Sequence, residues 1–136
     1  MKLFVLDTSV AASWAFPDES SALAGFAFDA MRDGAVALVP ALWWFELRNT
    51  LLVGERRSRL TSDHTVAFLD ALTGFDIRIQ PVPHGSEPIL PFARKHRLTV
   101  YDAAYLALAV AERAPLATLD AALLAAAKAE GVERFN

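Results

Sequence analysis

The chain has 136 residues, a length typical of one domain that can bury its own core. It has no cysteine, which excludes disulfides and thiolate metal sites. Hydrophobic residues make up 54% of it and the mean hydropathy is +0.30, yet no apolar run approaches the ~20 residues that a membrane-spanning helix requires. The net charge of -3 argues against a broadly basic nucleic-acid-binding surface. The opening MKLFVLD becomes charged too early for a secretory leader, so we expect a soluble cytoplasmic protein without a membrane role.

Short apolar runs alternate with helical patterns along the first half of the chain. The β-rich run over 2–6 is too short for a helix and predicts a central parallel strand, which delivers Asp7 at its far end. The elements predicted next are a helix over 10–16 ended by Pro17, a helix that begins after 18–21 and runs to about Arg32, a strand over 35–39, a helix from Pro40 to about Arg57, and a helix capped by Ser62 or Asp63 and closed by Gly74.

The second half of the chain continues the alternation. The predicted elements are a strand over 76–82, placed at a sheet edge because it contains Pro81, an irregular connection over 83–91, helices over 92–97 and 99–113, a strand over 116–119, a helix from Asp120 to Glu130, and a last short strand over 132–135. This order predicts a single α/β domain over 1–136, with a central parallel sheet of four to five strands and helices on both faces.

Four acids stand out because their neighbours in the sequence are apolar. They are Asp7 in VLDTS, Glu46 in WWFELRN, Asp102 in TVYDAAYLALA and Asp120 in ATLDAALLAAA. A buried carboxylate without a partner is costly, so acids in such runs need a hydrogen-bonding partner or a metal. Each also has an ordinary structural explanation. Asp7 and Asp120 are good N-caps, Asp102 has capping-box spacing to Thr99, and Glu46 fits the polar face of a buried helix.

Taken together, the four acids favour a metal site. Asp7 and Asp120 both follow predicted parallel strands, whose carboxyl ends meet at one edge of the sheet, and the start of the helix that holds Asp102 is expected at the same edge. Carboxylates gathered there repel one another unless cations neutralise them. Oxygen ligands alone suit Mg²⁺ or Mn²⁺, which bind substrate phosphates, so the pattern points to phosphodiester hydrolysis. The three histidines are scattered and match no metal spacing.

Two short segments concentrate positive charge. One holds Arg48, Arg56, Arg57 and Arg59, and the other holds Arg94, Lys95, His96 and Arg97. Either segment is suited to contact phosphates, but both also fit solvated helix ends, where cations interact favourably with the helix dipole.

The motifs LDTSV, VPALWWFELRNTLL, LTVYDAAYLALA and LATLD, in this order and spacing, resemble the PIN-domain family, and the size resembles its VapC-type toxin ribonucleases. The resemblance covers nearly the whole chain. It implies that Asp7, Glu46, Asp102 and Asp120 form a catalytic site that binds Mg²⁺ or Mn²⁺. It further implies that Ser9, Asn49 and Thr118 are polar positions beside that site.

The same resemblance implies a metal-dependent endoribonuclease that cuts structured RNA, such as transfer or ribosomal RNA, and so inhibits translation. It implies a VapB-like antitoxin as the cognate partner, and a toxin homodimer. Two other classes stay open. One is a phosphatase that uses Asp7 as nucleophile, although such enzymes of the haloacid-dehalogenase type usually carry an aspartate where this chain has Ser9. The other is an inactive PIN-like binding module whose acids are helix caps.

A row of four large apolar residues, Leu42 to Phe45, indicates a partner surface. A single helix cannot bury all four against its own core, so at least one is expected to be exposed in the free monomer. We expect Trp43 or Trp44 to lie in the antitoxin or homodimer interface, where tryptophan is enriched.

Overall fold

The computed structural model describes residues 2–81 and 88–136. Within these ranges the sheet has four parallel strands in the order β3-β2-β1-β4, which are β1 (Leu3–Leu6), β2 (Val36–Val39), β3 (Asp76–Ile79) and β4 (Leu116–Ala117). The edge position predicted for the third strand is confirmed. Its predicted last residue, Val82, and most of the predicted irregular connection lie outside the described residues.

Seven helices fall within the described part of the chain, and the first six connect the strands. They are α1 (Thr8–Ser13), α2 (Ala22–Arg32), α3 (Trp43–Arg56), α4 (Ser62–Leu72), α5 (Ile89–His96), α6 (Val100–Glu112) and α7 (Ala121–Ala129). Helix α1 packs on α2 and α3, α3 packs on α4, and α6 packs on both α5 and α7. The predicted α/β class with a parallel sheet is therefore confirmed. Among the described residues, no helix is both long enough and apolar enough to cross a bilayer.

The strand order creates a switch point beside β1. The chain moves outward from β1 to β2 and β3, then returns to place β4 on the other side of β1. With the right-handed crossovers that parallel strands favour, helices before and after the return lie on opposite faces of the sheet. Ligands of open α/β sheets bind at such a point, beyond the carboxyl ends of the strands. Asp7 follows β1 there, and Thr118 follows β4.

Several predicted boundaries are wrong by a few residues. Helix α1 begins at Thr8 rather than at residue 10, and it ends at Ser13. Helix α2, in contrast, has the predicted bounds: it begins after Ser21, whose side chain accepts a hydrogen bond from the Ala24 amide, and it ends at Arg32. Helix α4 is capped by Thr61, which accepts from the His64 amide, and not by Ser62 or Asp63.

The later boundaries differ in the same way. Helix α3 begins at Trp43 rather than Pro40, and α5 begins at Ile89, so Pro91 lies in its first turn, where proline is tolerated. Strand β4 stops at Ala117, two residues earlier than predicted. The predicted last strand is reduced to one parallel bridge between Leu116 and Arg134.

The row of apolar residues at the start of α3 is divided between core and surface. Trp43 is fully buried, Trp44 is partly buried, and Phe45 is 74% exposed. The expectation that at least one of these residues is exposed is confirmed. Trp43 shares its face with Leu47 and Leu51, both fully buried, so it belongs to the core and is not available to a partner. A partner can reach Phe45 and, to a smaller extent, the partly buried Trp44 and Leu42.

Candidate active site

Asp7 lies where β1 ends, and only 5% of it is exposed. Its Oδ2 atom accepts hydrogen bonds from the Ser9 Oγ and the Thr118 Oγ1, each at 2.7 Å. Asp7 occupies the N-cap position of α1, but its side chain makes no capping hydrogen bond, so the capping explanation is wrong for this acid. Hydroxyl groups from two separate connections instead hold the carboxylate at the switch point.

The two hydroxyls are themselves oriented by the backbone. The Ser9 Oγ accepts from the Leu119 amide and the Thr118 Oγ1 accepts from the Asp120 amide, both at 3.0 Å. Because each hydroxyl has one proton, that proton is directed to Asp7. The Oδ1 atom of Asp7 accepts no hydrogen bond from the described residues, so one oxygen of this carboxylate is fixed and the other is open to a ligand.

Glu46 lies in the first turn of α3 and is held in a similar way. The Tyr105 Oη donates to its Oε1 at 2.6 Å, and the Thr8 Oγ1 donates weakly to the same atom at 3.4 Å. These contacts bring α1, α3 and α6 together at the carboxyl edge of the sheet. The helical period of α6 correctly places Tyr105 on the buried side, but nothing in the sequence indicates that its hydroxyl reaches Glu46.

Asp102 and Asp120 both lie at helix starts. The Asp102 amide donates to the Thr99 Oγ1 at 3.1 Å, which supports the capping-box spacing. The Asp120 Oδ1 accepts from the Leu123 amide at 3.0 Å, so this side chain does cap α7. A cap uses only part of a carboxylate, so this role leaves the second oxygen of Asp120 for another contact.

Asn49 is placed one turn after Glu46 but does not join the hydrogen-bond network of the acids within the described residues. It is exposed and lines a shallow pocket with Phe16, Arg57 and Arg59. Of the three polar positions that the sequence placed beside the acids, the structure thus brings Ser9 and Thr118 into contact with Asp7 and leaves Asn49 apart.

The four acids influence one another electrostatically. Burial raises the pKa of Asp7 above its ordinary value, its two hydroxyl donors oppose this effect, and the charges of Asp102 and Asp120 raise the pKa further. Burial also raises the pKa of Glu46, which the Tyr105 hydrogen bond opposes and the charges of Asp7 and Asp102 reinforce. Like charges therefore oppose the ionisation of Asp7 and Glu46 in the metal-free protein.

Burial also raises the pKa of Asp102 and of Tyr105. The pKa of Asp102 is raised first by burial and then by the charge of Asp120, while a hydrogen bond with Thr99 lowers it. The pKa of Tyr105 is raised by burial and by its bond to Glu46, so the phenol keeps its proton at neutral pH and acts as a donor. A cation among these acids would lower the free energy of their ionised forms.

The donor set fits a hydrated divalent cation. Within the residues that the structure describes, no three acidic or histidine side chains come close enough to enclose an ion by themselves. Mg²⁺ usually keeps several water ligands and takes only one or two carboxylates, so a wide group of oxygen donors suits it. The open Oδ1 of Asp7 is the best-placed protein ligand, because its partner atom is fixed.

The two basic segments lie mainly at helix ends and in ion pairs. Arg94, Lys95 and His96 occupy the last turn of α5, and the latter two contact Glu130. Arg59 contacts both Asp18 and Glu19. These contacts support the helix-end explanation for much of both segments.

The comparison with known families decides the classification. The PIN domain family matches residues 4–130, which is nearly the whole described chain. The chain belongs to the PIN domain family. PIN domains are generally metal-dependent nucleases, and a nuclease-type fold agrees with the acids at the switch point of this sheet.

A solved structure supports the same fold for this PIN domain. The crystal structure of PAE2754 from Pyrobaculum aerophilum is similar to it with a TM-score of 0.72 and 20% sequence identity, over 93% of this chain and 86% of that chain. No curated protein matches the chain. At 20% identity, the likeness to PAE2754 concerns the fold alone.

Proposed function

We propose that this PIN domain is a divalent-metal-dependent endoribonuclease of the VapC type, the toxin of a toxin–antitoxin pair. The observation that carries the proposal is the paired anchoring of Asp7 and Glu46. In each carboxylate one oxygen accepts two hydroxyl donors, and the other accepts no hydrogen bond from the described residues. Carboxylates fixed in this way are suited to hold Mg²⁺ or Mn²⁺ through the open oxygen.

In this proposal each acid has a definite task. Asp7 is the main ligand because it is the most buried and the most constrained, while Asp102, Asp120 and Glu46 complete the negative site around it. When bound, the cation supplies a nucleophilic water and stabilises charge on the phosphate. Without a cation, the unneutralised carboxylates would repel RNA phosphates, so substrate approach depends on metal.

The surroundings of Asp7 support a phosphatase less well than a metal-dependent nuclease. Phosphatases of the haloacid-dehalogenase type usually carry a second acid two residues after the nucleophile, and the residue there is Ser9, which donates its proton to the Asp7 Oδ2. Asp120 does cap α7, so an inactive binding module stays the rival explanation for that acid.

The proposed toxin role includes a VapB-like antitoxin that covers the site, and a homodimer. An aromatic surface supports a protein partner. Trp44 and the exposed Phe45 lie in a groove between α3 and α4 that also includes Val66 and Ile79, and the Arg48 guanidinium lies 5.8 Å from the Trp44 ring. We place the predicted interface tryptophan at Trp44, since Trp43 belongs to the core.

Cleavage of end-labelled RNA tests the proposal. Wild-type protein is incubated with structured RNA in Mn²⁺, in Mg²⁺ and in EDTA, and a chromogenic phosphomonoester is offered in parallel. We expect internal cleavage of RNA with either metal, none in EDTA and no phosphomonoester hydrolysis. Asp7→Asn should abolish cleavage, whereas Asp63→Asn, which neutralises an acid in the first turn of α4, should not. Undiminished cleavage in EDTA would contradict the metal requirement, and phosphomonoester hydrolysis would favour the phosphatase.

A further inference from the structure

Tyr105 makes a contact that its position in the sequence does not predict. Its side chain is fully buried on α6, and its Oη donates to the Glu46 Oε1 of α3 at 2.6 Å, across a separation of 59 residues in the chain. The bond is short, as expected for a hydroxyl that donates to an ionised carboxylate. It ties together two helices that carry acids of the site.

The contact has an ordinary explanation. A buried phenol needs a hydrogen-bond acceptor, and Glu46 satisfies that need, so the bond could serve the fold alone. Two details indicate a role beyond the stability of the fold. First, Glu46 is not deeply buried and could turn toward solvent, yet Tyr105 and Thr8 both donate to the same oxygen. Second, the arrangement repeats that of Asp7, where both donors also converge on one oxygen.

We propose that Tyr105 is a positioning residue, which holds the Glu46 Oε1 so that the Oε2 faces the cation and its water ligands. This inference rests on the proposed metal-dependent function and goes beyond it by assigning a task to a residue of the hydrophobic helix face. Groups that hold metal ligands in place through hydrogen bonds typically change metal affinity or activity by about 10–100-fold when removed. Tyr105 then acts on the cation only through Glu46.

The variant Tyr105→Phe removes the donor and keeps the ring that packs in the core. Tyr101→Phe is a matched control, because Tyr101 lies on the same helix but is 61% exposed. Mn²⁺ affinity is measured by calorimetry for both variants, for Glu46→Gln, and for the double variant of Tyr105→Phe with Glu46→Gln. Circular dichroism and melting curves in EDTA verify that each variant is folded.

We expect Tyr105→Phe to bind Mn²⁺ about 10–100-fold more weakly, Tyr101→Phe to bind like wild type, and the double variant to bind like Glu46→Gln alone. Wild-type affinity in Tyr105→Phe would overturn the inference and leave the proposed function intact. A further loss in the double variant would also overturn it, because Tyr105 would then act independently of Glu46. Absence of Mn²⁺ binding by the wild type would overturn the proposed function and this inference together.

Discussion

Asp120 is the acid for which a structural role and a metal role can be separated most cleanly. Its Oδ1 caps α7 by accepting a hydrogen bond from the Leu123 amide at 3.0 Å, and its charge raises the pKa of both Asp7 and Asp102. Asparagine caps a helix about as well as aspartate but carries no charge. Asp120→Asn therefore keeps the helix cap and removes the negative charge.

The metal-free protein should not lose stability in this variant. The change of cap costs at most a few tenths of a kcal/mol, and removal of like-charge repulsion on Asp7 and Asp102 acts in the opposite direction. In EDTA at pH 7 we expect Asp120→Asn to melt at the wild-type temperature or slightly above it.

Mn²⁺ should raise the melting temperature of wild type more than that of Asp120→Asn. A ligand that binds only the folded state stabilises it by about 2.7 kcal/mol at a hundredfold excess over its dissociation constant. With an unfolding entropy of about 2.1 cal/mol/K per residue, that corresponds to a rise of about 9 °C in the melting temperature of a chain of this length. We expect this rise in wild type, and a much smaller rise in Asp120→Asn at the same Mn²⁺ concentration.

Melting curves with and without Mn²⁺ are recorded beside RNA cleavage, with Asp63→Asn as the control. That variant also neutralises an acid at a helix start, in α4, and should keep the full metal-induced shift. If Asp120→Asn keeps both the full shift and full cleavage, Asp120 is only a cap, and the site consists of three acids.

Three further predictions concern pH, packing and the partner surface. In EDTA, wild type should lose stability relative to Asp102→Asn as the pH rises from about 4 to 7. The raised pKa means that the Asp102 carboxyl loses its proton at a higher pH in the folded state than in the unfolded chain, so its deprotonation favours unfolding. Gly54→Ala should cost about 1–3 kcal/mol in thermal unfolding, since its Cβ would lie 2.6 Å from the buried Phe16 ring. Antitoxin binding should change the fluorescence of Trp44 but not that of Trp43, which single Trp→Phe variants distinguish.

Each of these predictions has its own control or contrary result. A stability difference between wild type and Asp102→Asn that does not vary with pH, or that varies in the opposite direction, would refute a raised pKa of Asp102. Gly25→Ala, where the added Cβ meets no atom within 4 Å, should be neutral or stabilising by up to about 1 kcal/mol. An unchanged spectrum of Trp43→Phe at saturating antitoxin would exclude Trp44 from the interface.

The sheet was predictable because it follows from strong rules. Short β-rich runs located every strand, and Pro81 correctly indicated an edge. Parallel strands align their carboxyl ends, so acids that follow two such strands, Asp7 and Asp120, had to lie at one edge of the sheet. The prediction of a shared acidic site needed no knowledge of side-chain contacts.

Helix starts were less predictable because neighbouring residues compete. Thr61, Ser62 and Asp63 are all good N-caps, and the local sequence does not choose between them. The start of α3 was predicted three residues too early, although the i, i+4 spacing of Trp43, Leu47 and Leu51 does identify the face that is buried.

The role of Tyr105 could not be predicted from the sequence. Its helical position correctly indicated burial, but the destination of its hydroxyl depends on how α3 and α6 meet at the sheet edge. The same holds for Thr8, which was expected only as a hydroxyl at a turn and donates to Glu46. Periodicity identifies the face of a helix, and only the packed structure identifies the partner atom.

The most direct test of the proposed metal site is the anomalous difference map of a crystal soaked in Mn²⁺. We predict a peak at the carboxyl edge of β1 and β4, in contact with the Oδ1 of Asp7 and surrounded by Glu46, Asp102 and Asp120, with water ligands completing its coordination. A crystal of Asp7→Asn treated in the same way should lack this peak. A map without a peak at the four acids, or with Mn²⁺ bound only elsewhere on the protein, would contradict the account.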